Sequence, residues 1–138
     1  MRDQKLERLT STALFAGLDR HGLEAVAETT TEMQFPAGTV LAREGSQGHE
    51  AFVVVSGSIT VSISGDQVGT IGAGEVAGEL ALLLREPRQA TLTAATDVDL
   101  LVIEPGRFHT LLEQPSIARA LVTALARRLS NADKALRH

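Results

Sequence analysis

The sequence predicts an α+β fold: an antiparallel, jelly-roll-like β-roll of about eight strands, flanked by N-terminal helices and a C-terminal helix pair. Three observations predict it. Apolar residues recur at helical spacing at both ends of the chain. Between them, nine of the twelve glycines fall from Gly38 to Gly78 and separate short segments rich in β-branched residues. Strands this short and evenly spaced suit a compact roll rather than an open sheet.

Residues 1–30 form the first helical zone. Leu6, Leu9, Ala13 and Leu14 share one helical face, and Asp19 stands where it can cap a second helix through Leu23, Val26 and Ala27. Residues 31–103 form the β-roll. Ala51 to Ser56, Ile59 to Ser64 and Gln67 to Ile71 read as strands, with Ile59, Val61 and Ile63 on one face of the second. Ser64-Gly65-Asp66-Gln67 is a hairpin turn between the last two. Residues 105–137 are helical again. Pro105 fits the first turn of a short helix through Phe108, Leu111 and Leu112. Pro115 opens a longer helix with Ile117, Leu121, Leu125, Leu129, Ala132 and Leu136 along one stripe, while Arg119, Arg127, Arg128, Lys134 and Arg137 mostly take other faces. Those basic residues read as a solvated face or a partner surface.

At 138 residues the chain has the length of one domain, 1–138. Its 43% apolar and 22% charged composition is that of a folded globular protein. A net charge of −4 disfavours direct nucleic-acid binding, and the nine residues after Leu129 are too few for a helix-turn-helix. No segment approaches the roughly 20 apolar residues of a membrane span. The absence of cysteine suits the cytoplasm and removes disulfides and thiolate metal sites. His21, His49, His109 and His138 form no metal-binding spacing, so no metal is expected. Ser58, Ser62 and Ser64 lack the His and Asp pattern of nucleophilic catalysis. The chain therefore reads as a non-enzyme.

The segment 76–91 carries the chemistry. Gly78 precedes Glu79-Leu80-Ala81-Leu82-Leu83-Leu84, a run of helix formers too short to be stable alone. The N-terminus of a helix exposes free N–H groups, and glycine lets an anion approach them closely. Pro87 stops the helix, and Arg88 follows where the chain returns to a strand. One guanidinium beside such N–H groups suits a singly charged phosphate. Glu79 would repel that phosphate unless a ribose hydroxyl lay between, donating to its carboxylate. Taken alone, Glu79 also fits a first-turn carboxylate that complements the helix dipole, and Arg88 fits a surface arginine pairing with Glu86.

Gly78-Glu79-Leu80-Ala81-Leu82 followed by Pro87-Arg88-Gln89-Ala90-Thr91 resembles the phosphate-binding cassette of the cyclic-nucleotide-binding domain family, which includes protein kinase A regulatory subunits, catabolite activator proteins and cyclic-nucleotide-gated channels. Leu14 to Leu18, and Glu44-Gly45 through Phe52 to Ile59, are similar to other parts of the same pattern, so the resemblance runs from about Leu14 to Leu129. It implies that Glu79 takes the ribose 2′-hydroxyl and Arg88 the cyclic phosphate. Backbone N–H groups around Leu80, Ala81, Gln89 and Ala90 would complete the phosphate shell, within a cassette that includes Gly78 and Thr91. Val61 and Val68 are assigned to the base pocket. Ala77 stands where the family often has an aromatic residue. Gln89 follows the arginine, where several cGMP binders have threonine; its amide can donate or accept. The ligand expected is cAMP, with cGMP as the competitor, and no other cofactor.

The implied role is a non-catalytic sensor whose C-terminal helices move as a lid and act on an effector domain or protein not seen in the sequence. A homodimer through the C-terminal helix is the competing use of the apolar stripe. Two alternatives stand beside the sensor: a ligand-free scaffold or dimerisation module, and the N-terminal regulatory domain of a longer enzyme or transcription factor.

Overall fold

A computed structural model describes residues 2–136, with side chains from 4 to 133. Two helices, α1 (Arg2–Thr10) and α2 (Arg20–Ala27), lead into eight strands: β1 (Thr30–Phe35), β2 (Val40–Ala42), β3 (Ala51–Ser56), β4 (Ile59–Ile63), β5 (Asp66–Ile71), β6 (Val76–Ala77), β7 (Thr91–Ala94) and β8 (Val98–Ile103). A six-residue helix, α3 (Glu79–Leu84), interrupts the roll between β6 and β7, and α4 (Pro105–Leu111) and α5 (Pro115–Leu136) follow it. The strands form two four-stranded sheets, ordered β1-β8-β3-β6 and β2-β7-β4-β5, in which each neighbouring pair is antiparallel.

The two sheets differ in what they cover, and the sequence of their strands follows. The first sheet is buried on both faces along its central strands β3 and β8, while its edge strand β1 is mostly exposed. Phe52, Val54, Val98 and Leu100 point into the roll, whereas Ala51, Val53, Leu101 and Ile103 point at the helices. Its central strands therefore read as continuous apolar runs rather than as alternations. The second sheet buries one face only: Ile59 and Leu92 lie inside, while Ser64 and the Asp66–Val68 stretch are exposed. The two-residue turn Ser64-Gly65 closes the β4–β5 hairpin.

The helices form a second core against the first sheet. Leu9, Phe15, Val26, Phe108 and Ile117 are fully enclosed, and the rings of Phe15 and Phe108 meet edge to face with centroids 6.3 Å apart. Asp19 caps α2 by accepting from the Gly22 N–H at 2.8 Å. Glu104 caps α4, accepting from Gly106 and Arg107 N–H ahead of Pro105 at the first helical position. Those two bonds favour the ionised carboxylate and hold the Glu104 carboxyl below the usual range.

Two sequence expectations need correction. The first helix stops at Thr10, because the hydroxyls of Thr10, Ser11 and Thr12 each donate back to the carbonyl four residues earlier. Leu14 is nonetheless buried in the turn that follows, while Ala13 is exposed. The apolar stripe of α5 covers the core only over its first half. Ile117 and Leu121 are buried and Leu125 is half-buried, but Leu129 is 73% exposed and Ala132 is exposed. The side chains of Lys134 and Leu136, and all of Arg137 and His138, lie outside the described residues.

Candidate functional site

A cavity of about 200 Å³, partly open to solvent, lies between the second sheet and the loop-helix segment from Gly78 to Ala90. Three walls define it. The inner faces of β4, β5 and β7 give an apolar wall of Val61, Ile63, Ile71 and Leu92. Val61 faces Leu92 across the β4–β7 ladder, so that wall is set by strand register. Gly78, Glu79, Leu80 and Ala81 form the second wall, and Glu86 to Ala90 the third. The lining is that of a small-molecule site, mainly apolar with a few convergent polar groups.

Helix α3 is anchored by Leu82 and Ala81, both buried, so its first turn is held against the cavity. His109 of α4 adds a second tether, its Nε2 lying 2.5 Å from the Leu82 carbonyl oxygen. The leading N–H groups of such a helix have no intrahelical acceptor. Gly78 takes a left-handed φ of +79°, and a Cβ there would sit 2.7 Å from Arg88 Nη1 and 3.1 Å from the Glu50 carbonyl oxygen. Only glycine satisfies both constraints without strain. Gly48 lies close to the same guanidinium, where a Cβ would sit 3.3 Å from Nη2.

Arg88 is the centre of this arrangement. It is 5% exposed, and its Nε and Nη1 have no hydrogen-bond partner. Its guanidinium lies over the ring of buried Phe52, 5.6 Å from Cζ to the centroid. Its backbone is fixed by paired bonds to the 45–46 loop: Arg88 N–H donates to Ser46 at 2.9 Å, and Gly45 N–H donates to Arg88 at 2.8 Å. Desolvation pushes the guanidinium below its ordinary pKa, with the negative charge of Glu50 opposing the shift. A buried cation with unused donors is costly unless an anion completes it. A surface arginine pairing with Glu86 is therefore not what the fold contains.

Glu79 sits in the first turn of α3, with its side chain 14% exposed. Its Oε1 pairs with Nη2 of Arg128 on α5 at 3.1 Å. Arg128 belongs to the basic set that the sequence assigns to a solvated face or a partner surface; it is half-exposed, and its position seven residues after Leu121, two helical turns on, brings it to the cassette side of α5.

The expected site residues do not all reach the cavity. Gly78, Glu79, Leu80, Ala81, Arg88, Gln89, Ala90 and Val61 line it. Val68 does not: it is 58% exposed, and the β4–β5 register slips between Val61 and Ser62, leaving Val68 as the extra residue of a bulge. Thr91 lies between the lining residues Ala90 and Leu92 without lining the cavity itself; its hydroxyl accepts from Glu44 N–H at 3.0 Å and ties the 43–48 loop to β7. Ile63, Ile71 and Leu92 complete the apolar wall and were not singled out from the sequence, although Ile63 shares the Ile59–Val61 face. Among the described residues, no cluster of His, Asp or Glu could hold a metal ion, and no helix is long and apolar enough to cross a membrane.

Comparison with known proteins gives this geometry its family. Residues 32–115 match the model of the cyclic nucleotide-binding domain. A cyclic nucleotide-gated potassium channel of Rhizobium etli is 36% identical over 122 residues, covering 87% of this chain and 34% of the channel. The cGMP-dependent protein kinase egl-4 of Caenorhabditis elegans is 38% identical over 88 residues, covering 64% of this chain and 11% of the kinase. The regulatory domain of Toxoplasma gondii PKA, solved with cAMP, superposes with a TM-score of 0.76 at 33% identity, over 86% of this chain and 47% of that one. The chain thus spans about a third of the channel's length and a smaller part of the kinase's. From the matched cassette to the two-sheet roll, the chain belongs to the cyclic nucleotide-binding domain family.

Proposed function

We propose that this chain is a non-catalytic sensor that binds cAMP in preference to cGMP, and that the occupied site acts on an effector through the C-terminal helices. The observation that carries the reading is Arg88: a guanidinium buried at the back of an apolar cavity, aimed past two glycines, with two nitrogens unpartnered. A cyclic nucleoside monophosphate matches that cavity group by group. Its single negative charge would use the free Arg88 donors and the leading N–H groups of α3. The ribose 2′-hydroxyl would donate to Glu79, and the base would lie against Val61, Ile63 and Ile71. The resident cation also explains how a carboxylate and a phosphate tolerate each other so closely.

The preference for cAMP is supported by the cAMP complex of the Toxoplasma relative, while the Gln89 amide, which can donate or accept, suits either base. The cGMP-dependent kinase among the relatives makes cGMP the necessary competitor. Placement in the cytoplasm, where cyclic nucleotides are read, belongs to the same proposal. Isothermal calorimetry with cAMP and cGMP tests it. One-to-one binding with cAMP the tighter ligand is expected, accompanied by about 2.7 kcal/mol of stabilisation at 100 times the dissociation constant. Failure of both nucleotides to bind would return the roll to a scaffold.

A further inference from the structure

We infer that the groove between the 13–17 turn and α5 is where the effector docks, and that its occupant is an acidic helical segment of a partner protein with small side chains on its contact face. The inference rests on the proposed function for the occupant's role; the contact itself needs no nucleotide. The groove lies outside the cassette and shares no lining residue with the cavity. Exposed Ala13, Ala16 and Gly17 form one bank, and Ala120, Thr123 and Ala124 of α5 form the other. Ile117 and Leu121 hold the other side of α5 in the core, so that bank is fixed. Side chains this small let a second helix approach α5 at the short end of the usual spacing of about 8–10 Å. Gly17 gives the strongest sign. Its backbone lies outside the left-handed region and a Cβ there would meet nothing within 4 Å, so neither conformation nor crowding calls for glycine. Glycine here adds freedom to the unfolded chain and so destabilises the fold, but it keeps the groove open.

Charge selects the occupant. Arg119 and Arg127 are the ionised side chains of the lining, both exposed, and among the described residues neither has an ion pair or hydrogen bond. They stand eight residues apart, about 12 Å along α5, with Thr123 midway. No carboxylate lines the groove, although the chain carries 17 acidic residues against 13 basic ones. A helix with carboxylates two turns apart would meet both guanidiniums, and exposed pairs of this kind select a partner more than they hold it. A second copy of the chain is a poorer match, because a two-fold contact through this face would set its arginines against each other. A lipid surface is poorer still: the lining offers no large apolar side chain to insert.

The test is an anisotropy titration of the intact chain, with and without cAMP, against a fluorescein-labelled alanine-rich helical peptide carrying glutamates two turns apart. A second peptide has lysine in place of each glutamate. The glutamate peptide is expected to bind, with an affinity that cAMP changes, and the lysine peptide is not. Arg119→Ala and Arg127→Ala should each weaken the glutamate peptide by about two- to fivefold, the range of an exposed ion pair. The double reversal Arg119→Glu/Arg127→Glu should transfer binding to the lysine peptide. Gly17→Leu, placed where a side chain has open space, should block the glutamate peptide while the chain melts no lower than the parent. Equal binding of both peptides, binding of neither, or full binding by Gly17→Leu would overturn the inference. So would a dimer in sedimentation that Gly17→Leu dissociates, which would give the groove to a second copy. Peptide affinity unchanged by cAMP, in a chain that binds cAMP, would overturn the assignment to the effector. A chain that binds the glutamate peptide but no cyclic nucleotide would instead remove the sensor reading and keep the docking groove.

Discussion

The helix-backed core packs on the β3–β8 sheet, the cassette cavity is walled by β4, β5 and β7 of the other sheet, and the two use their residues in opposite ways. On the helix side Phe15, Phe108, Leu101, Ile103 and Ile117 are closed in, and the polar groups that enter are bonded, as with Thr29 and Thr30, whose hydroxyls donate to the α2 carbonyls of Val26 and Ala27. On the cassette side Leu80 and Leu84 are about half exposed, Arg85 takes a left-handed backbone, and Arg88 is buried with donors unused. The first region is complete without a ligand. The second holds its polar group ready at a cost to the free protein, which is the usual relation between stability and a binding site.

That contrast breaks most easily on the core side. Phe108→Ala removes an enclosed ring and its edge contact with Phe15, and should cost about 3–5 kcal/mol of unfolding free energy. Denaturant titration would read this as a lower midpoint with an unchanged slope. A loss under 1 kcal/mol would mean that the helices are only loosely docked on the sheet.

Gly78→Ala sharpens the other side. The left-handed backbone alone costs a side chain about 1–2 kcal/mol, and the new Cβ would press on Arg88 Nη1 and the Glu50 carbonyl. The stability loss should stay near that figure, well below the Phe108 effect, while cAMP affinity falls because Arg88 is displaced. Titration of Gly78→Ala beside the parent checks both. Undiminished affinity would show that the guanidinium position is not what the site depends on.

Much of the fold was legible because its signals are local. The caps at Asp19 and Glu104–Pro105, the Ser64-Gly65 hairpin and the apolar runs of β3 and β8 each follow from neighbours in the chain. So does the order of residues in the cassette. The bulge that turns Val68 out was not legible, because it depends on how β5 registers against β4 rather than on alternation within β5. The back-bonding that ends α1 at Thr10 was written in Thr10-Ser11-Thr12, but apolar spacing through Leu14 overrode it. Arg128 was hidden for a different reason. A charged residue on a mixed helix face reads as solvated unless its partner, 49 positions earlier, is known to be opposite it.

The central claim is that Arg88 is kept unpaired for a phosphate and contributes little to the fold itself. Measuring Arg88→Ala both ways, by melting without ligand and by calorimetry with cAMP, tests it directly. Removing a buried cation with two unbonded nitrogens should leave ligand-free stability no lower than that of the parent. Affinity for cAMP should fall by roughly 10- to 150-fold, the equivalent of a charge-assisted hydrogen bond. A variant that binds cAMP as tightly as the parent yet melts well below it would contradict the account, and would make Arg88 a structural cation held by Phe52 and Glu50.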